Sequence, residues 1–516
     1  MKRTTLSLFG VSAALAAVTG VAVVAGPADS ARTARAAERL PVQRSTALCP
    51  APTSSDVAET TYTAFTPGPA GAGGKKTAAD LVAAAAGGRK DDAAKGANGK
   101  DAKDKKKDGK DDKGAVAPGT TVLSLKEPGK PATATTGRSD APALIGGAEG
   151  ALAPGWSVQQ TTVVSAGSGR GLHGLSCTAP DTSFWFPGAS TAKGRQDYVH
   201  LTNPDSTAAV VDLELYGKDG RIKAAVGEGI TVPPRSTVPV LLSTLTDAPA
   251  DSATLHVAAR SGRVGAAVQA SDDKAGGDWL PASAGPAASA VLPGIPADAT
   301  SVRLVAFAPG ADDADLKLRF AGPNGSITPA GHETLHVKSG MTTAVDLGDL
   351  TKGEAGSLLL TADGGGAPVV AALRVTRGKD DKQETAFIPA TAAIERRGTV
   401  ADNRAKATTL ALVAPGKEAA QVKVTSSAGS EGGSPVSKSY TVKAGTTLTV
   451  EPPQPSGAKG SYAVTVERVS GGPVHAARML ALPKDGLPMF TVQPLPDDRS
   501  TVAVPRAEQD LSMLNR

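Results

Sequence analysis

Residues 332 to 336, His332-Glu333-Thr334-Leu335-His336, spell H-E-x-x-H. On a helix this spacing sets two imidazoles about 6 Å apart on one face, close enough to grip one zinc ion, with the glutamate between them as a general base for hydrolysis. On a strand the same two rings stand about 13 Å apart and cannot share an ion. Two other short patterns carry chemistry in the right setting. Ser190-Thr191-Ala192-Lys193 is an S-x-x-K, in which a helix holds lysine beside a nucleophilic serine, but the companion S-D-N and K-T-G motifs are absent. Gly169-Arg170-Gly171-Leu172-His173-Gly174 is a G-x-G-x-x-G, which cradles a pyrophosphate only where it opens a helix, and here it runs into Cys177 and Pro180. Asp312-Asp313-Ala314-Asp315 lacks the pattern of a calcium loop and fits a solvated turn, with weak calcium binding as the alternative. His200, His256 and His475 fall in strand-like runs and are expected to be sheet residues rather than ligands.

The elements that carry these patterns decide between the readings. A threefold repeat runs through the second half of the chain. A strand ends in a proline turn at Pro204, Pro309 and Pro415, and a small-residue strand carries paired alanines beginning at Ala266, Ala371 and Ala476. Between these landmarks a strand leads into a Thr-rich turn at 230–242, 335–347 and 440–452. The near-constant step of 105 to 106 marks a duplicated domain, longer than the usual solenoid unit. Each copy holds about seven short runs of period-two alternation, such as "DLKLRFAG", separated by Gly, Pro and Asp turns. The expected fold is all-β, with three tandem immunoglobulin-like β-sandwiches at 185–290, 291–397 and 398–505. The repeat places His332–His336 at the entry to a strand, which excludes shared zinc ligation. No catalytic, metal or cofactor residues are assigned.

Upstream, residues 45–184 form an N-terminal β domain interrupted by a charged loop at 67–118. From Arg89 to Lys113 there are ten basic and seven acidic residues and none that is aromatic or β-branched, a composition expected to be disordered. Residues 506–516 form a tail. The chain begins Met1-Lys2-Arg3 and continues with an apolar or small run from Leu6 to Gly26, so residues 1–36 read as an export signal. About 20 apolar residues also suffice for a membrane span, so retention as an N-terminal anchor is the alternative. Both readings place the protein outside the cytoplasm, secreted or anchored in the cell membrane. There an oxidising environment makes a Cys49–Cys177 disulfide the economical reading, with two buried free thiols as the alternative. A net charge of +5 over 516 residues excludes a dedicated nucleic-acid binder while permitting weak attraction to an anionic wall.

One aromatic cluster stands out, because Phe184-Trp185-Phe186 are consecutive in a chain with 3 % aromatic residues. They either pack the junction of the N-terminal domain with the first repeat or form a binding surface for a sugar ring or a partner's apolar anchor. The blocks "RTTLSL", "LCPAPTSSDVAETTYTAFTP", "SFWFPG" and "VHLTNPD" resemble the uncharacterised secreted or membrane-anchored proteins of streptomycetes and related actinobacteria, a domain-of-unknown-function family. The resemblance implies an extracytoplasmic setting and brings no catalytic residues. The expectation is a non-enzymatic cell-envelope protein whose partner is a cell-wall polymer or an envelope protein. A carbohydrate-binding module is second, and an unrecognised hydrolase is a remote third. Sequencing the N-terminus of the exported protein tests the leader: a start between Ala28 and Glu38 marks cleavage, and Met1 on membrane-bound protein marks the anchor.

Overall fold

Strand alternation carries the architecture. In Ala314–Ala321 every second side chain, Leu316, Leu318 and Phe320, is buried, while Asp315, Lys317 and Arg319 face solvent. A computed structural model describes residues 38–68, 78–87, 115–362 and 366–504. The described chain is all-β, its helical content limited to short 3-10 turns. The Leu6–Gly26 run lies outside the described residues, among which no helix is long and apolar enough to cross a membrane. Glu38–Pro41 pairs with Thr501–Val504; the described residues up to Leu40 and from Thr501 on form one small unit, and those from Pro41 to Ser500 form a second.

Within that larger unit, each repeat is built of two sheets in one recurring order. In the first repeat one sheet runs Ser183–Ala189, Ala253–Ser261, Ala209–Gly217, Gly220–Ile222, and the other runs Gly276–Leu280, Gly265–Asp272, Arg195–Thr202, Ser236–Leu241. The second repeat begins at Ser289–Ile295 and the third at Arg397–Asn403, both with the same strand order. Leu and Val from the two facing sheets fill each core.

The N-terminal domain is a fourth copy. Its sheets run Arg44–Cys49, Leu144–Glu149, Ala78–Ala83, Thr121–Leu125 and Gly171–Ser176, Ser157–Val164, Ala58–Phe65, Ala132–Thr136. This is the order of the repeats with Thr121–Leu125 in the place of Ile230–Val232, which pairs with the start of Ala209–Gly217 as Leu125 pairs with Ala79. Its turn proline is Pro67, and Val158-Gln159 occupies the place of the paired alanines, because Ala64 pairs with Val158 as Leu201 pairs with Ala266. Ala78–Ala83 and Ala85–Ala86, inside the stretch expected to be loop, are strands. "AADLVA" alternates with Leu81 fully buried, a local signal that composition averaged over the whole stretch conceals. Residues 69–77 and 88–114 of that expected loop lie outside the described residues. Cys49, ending the first strand, is bonded to Cys177, just past the last, so the disulfide closes this copy on itself.

Successive copies meet through two repeated contacts. The Thr342 hydroxyl donates to the Tyr216 carbonyl at 2.7 Å and lies 3.0 Å from the Thr254 hydroxyl. One period on, the Thr447 hydroxyl donates to the Ala321 carbonyl at 2.7 Å and lies 2.9 Å from the Ser357 hydroxyl. The first alanine of each pair faces its own core and the second faces the preceding copy: Ala372 and Phe387 pack into the core of the first repeat, and Ala477, Phe490 and Val492 into that of the second. At the remaining junction, Ala85–Ala86 adds a parallel strand to Ser236–Leu241.

The array closes on itself. The four last strands, Gly171–Ser176, Gly276–Leu280, Glu384–Pro389 and Phe490–Pro494, pack each against the next and the fourth against the first. Phe65 of the first copy packs with Ala401 and Ala463 of the last. Gly174 lies so close to Gln493 and Thr491 that no side chain fits there. Polar groups are buried at this hub. The Asp278 carboxylate accepts from the Gly174 N–H at 2.9 Å, the Trp279 N–H at 2.8 Å and the Thr491 hydroxyl at 2.8 Å. Glu384 is fully buried, and neither of its oxygens takes a hydrogen bond among the described residues. Burial pushes its carboxyl up to about 8, opposed by the Arg170 guanidinium. Burial likewise raises Asp278, whose hydrogen bonds lower it and whose neighbour Glu384 raises it further.

Two outcomes follow from this packing. Ala372→Leu overfills the junction of the first two repeats and costs about 1 to 3 kcal/mol, measured by chemical denaturation. Glu384, with a folded pKa above its unfolded value, favours folding fully only below the unfolded pKa, and that contribution is lost as pH rises towards about 8. Glu384→Gln therefore raises the melting temperature at pH 8 and flattens its decline between pH 5 and 8. An unchanged slope refutes the assignment.

Candidate functional site

The structure disperses the short motifs. Thr334–Val337 is a strand paired with Ala314–Ala321, and His332 sits in the turn before it. His336 bonds through Nδ1 to Asp315 at 2.8 Å and lies 3.4 Å from Asp313 through Nε2, at the surface. Among the described residues no group of three or more His, Cys, Asp and Glu is arranged to hold a metal. In the S-x-x-K stretch the Ser190 hydroxyl donates to the Ala250 carbonyl and its N–H to Asp197, which also pairs with the buried Arg195. The G-x-G-x-x-G enters the strand Gly171–Ser176 rather than a helix. His173 and His200 are buried and pushed down to about 4, as is His475, which lies 3.1 Å from the Thr391 hydroxyl.

The aromatic cluster lies on Ser183–Ala189, the edge strand of the first repeat's sheet. Alternation sends Phe184 and Phe186 into the core, so neither contributes to a surface. Trp185 is half-buried on the opposite face and stacks on His256, with ring centroids 3.8 Å apart. Phe307 of the next copy lies 5.4 Å from Trp185 and 4.6 Å from Tyr216. Trp185 thus packs at the junction of the first and second repeats.

Register brings a polar chain beside this stack. Trp185 pairs with His256 and His256 with Glu214 across three adjacent strands, and Ser183 stands two residues before Trp185 on the same face. The Ser183 hydroxyl is 3.0 Å from His256 Nε2, and His256 Nδ1 is 2.9 Å from Glu214 Oε2. Glu214 also accepts from the Tyr216 hydroxyl at 3.0 Å and pairs with Arg221 at 3.2 Å. Burial raises the Glu214 carboxyl, but its bonds to His256 and Tyr216 and the charge of Arg221 leave it below its usual value. Burial and Glu214 together push the Tyr216 hydroxyl up to about 12. An aligned serine, imidazole and carboxylate can activate a hydroxyl. No local pattern announces these three residues, which lie 31 to 73 positions apart and meet only through strand pairing.

Comparison with known proteins gives a family and nothing more specific. No curated protein matches the chain, and no solved structure does. A family model matches residues 132–453, from the first copy into the last, and by that match the chain belongs to the family of unknown function DUF5719.

Proposed function

We propose that this chain is an exported structural or interaction protein of the cell envelope, acting by binding, a role that needs no catalysis. The observation that carries the reading is the Cys49–Cys177 disulfide, which locks the first sandwich of a closed four-sandwich array. Such a bond persists in an oxidising compartment and is rare in the cytosol. A closed array with no free end offers a rigid body with a broad outer surface, suited to holding a partner rather than enclosing a small substrate. The partner is an anionic wall polymer or an envelope protein, met through exposed Lys and Arg on a chain of net charge +5.

The carbohydrate-binding alternative rests on Trp185. One face of its indole is already taken by His256 and Phe307 packs nearby, which leaves little ring for a sugar to cover. Pull-down on cell-wall polysaccharide separates the two readings. Retention by charge is lost at high salt and unaffected by Trp185→Ala. Retention that survives salt and disappears with Trp185→Ala establishes sugar stacking and overturns the charge reading. No retention under either condition, on wall polymer or on envelope extract, refutes both.

A further inference from the structure

We propose that Ser183 is a nucleophile for acyl esters, activated by His256, with Glu214 as the positioning residue. The geometry supplies each part of an acyl-transfer site. The imidazole sits between the other two groups, 3.0 Å from the hydroxyl through one nitrogen and 2.9 Å from the carboxylate through the other. The bond to Glu214 at Nδ1 fixes the tautomer that leaves Nε2 free to accept the serine proton. Trp185 stacks flat on the ring and holds its plane. Ser183 is exposed, as a nucleophile must be, whereas its partners are half-buried.

The Ser183 N–H completes the arrangement. The bond from the Ala259 N–H to the Thr182 carbonyl makes Ser183 and Ala258 a non-hydrogen-bonded pair, so the Ser183 N–H points to the outer side of the strand, where two residues on the Trp185 carbonyl accepts from the Ser283 N–H at 2.9 Å. A donor on the nucleophile's own backbone is where an oxyanion can be met.

The repeat itself provides an independent argument. The positions of Trp185, His256 and Glu214 are held in the second repeat by Val291, Leu359 and Arg319, and in the third by Thr399, Thr465 and Thr425. In the second repeat Val291 and Leu359 form an apolar contact with Ala321 and Val413 of the following junction. Packing at this place therefore does not require a titratable chain, and only the first repeat has one. Ser289, the counterpart of Ser183, pairs with Thr361 and has no imidazole beside it.

The reaction balances without any added group. The Ser183 oxygen attacks the ester carbonyl carbon while its proton passes to His256 Nε2. The carbon–oxygen bond to the alcohol breaks and the alcohol leaves with that proton. Water then attacks the acyl-serine, giving up a proton to His256, and the carboxylic acid departs as Ser183 regains its hydrogen. Ser183 is exposed at the start of its strand, which suits an ester carried on an extended polymer rather than a small enclosed substrate.

The test is labelling of the full-length chain with a fluorophosphonate probe, read by mass spectrometry of the peptide that contains Ser183, alongside hydrolysis of p-nitrophenyl acetate. A single adduct on Ser183 is expected, none on Ser289, with both adduct and turnover abolished by Ser183→Ala. His256→Asn should slow labelling by about 100-fold or more. Glu214→Gln should lower kcat with KM unchanged, a split that a purely structural role would not produce. Ser183→Ala removes an exposed hydroxyl and is expected to melt as the parent does, so loss of labelling is read on a folded protein. Absence of a Ser183 adduct on folded protein overturns the proposal, and so does labelling undiminished in His256→Asn. Either failure leaves the binding role standing, since wall retention is measured separately.

Discussion

Close approach between successive sandwiches is the constraint on which the molecule depends. Each copy sends residues of its last strands into its predecessor: Phe387 reaches the core of the first repeat, and Phe490 and Val492 reach that of the second. This is feasible only where the intervening strand carries no bulk, which is why the second alanine of each pair, Ala372 or Ala477, stands there. Aromatic residues are few, so cores made of Val, Leu and Ala gain what they lack in side-chain volume by sharing each other's boundaries. The same geometry brings the four last strands together and buries Asp278 and Glu384 where they meet. Buried carboxyl groups are costly, and the hub that closes the array is therefore also where its stability depends on pH.

Much of this was legible in the residues because the signals were local. Period-two alternation identified the strands, the proline and alanine landmarks identified the repeat, and the repeat placed His332–His336 at the entry to a strand rather than on a helix. The disulfide followed from having two cysteines in a chain whose first residues read as an export signal. The fourth copy was concealed because both of its landmarks are disturbed. Pro67 stands 137 positions before Pro204 instead of 105, and Val158-Gln159 replaces the alanine pair. Closure of the array was illegible for another reason: Phe65 and Ala463 are almost 400 positions apart, and no periodicity reports such a contact. The Ser183, Glu214 and His256 constellation is invisible in one dimension for the same reason, since it exists only through the register of three strands.

The copy that closes the array is also the one held by a covalent bond, and the loop entropies account for this. In the first repeat 12 residues separate Ala209–Gly217 from Ile230–Val232, the strand that pairs with its start. In the first copy 37 residues separate the equivalent strands, Ala78–Ala83 and Thr121–Leu125. Lengthening a connection that much adds about 1 kcal/mol of closure entropy. A disulfide spanning 128 positions restricts the unfolded chain by about 4 to 5 kcal/mol, enough to offset that addition. Without the bond, the sandwich with the longest internal connection would be the weakest member. Because it contacts both its successor and the last copy, its opening would expose two junctions and the polar hub at once. A linear array could tolerate a frayed end. A closed one cannot, and so the covalent link belongs at the copy where the insertion entered.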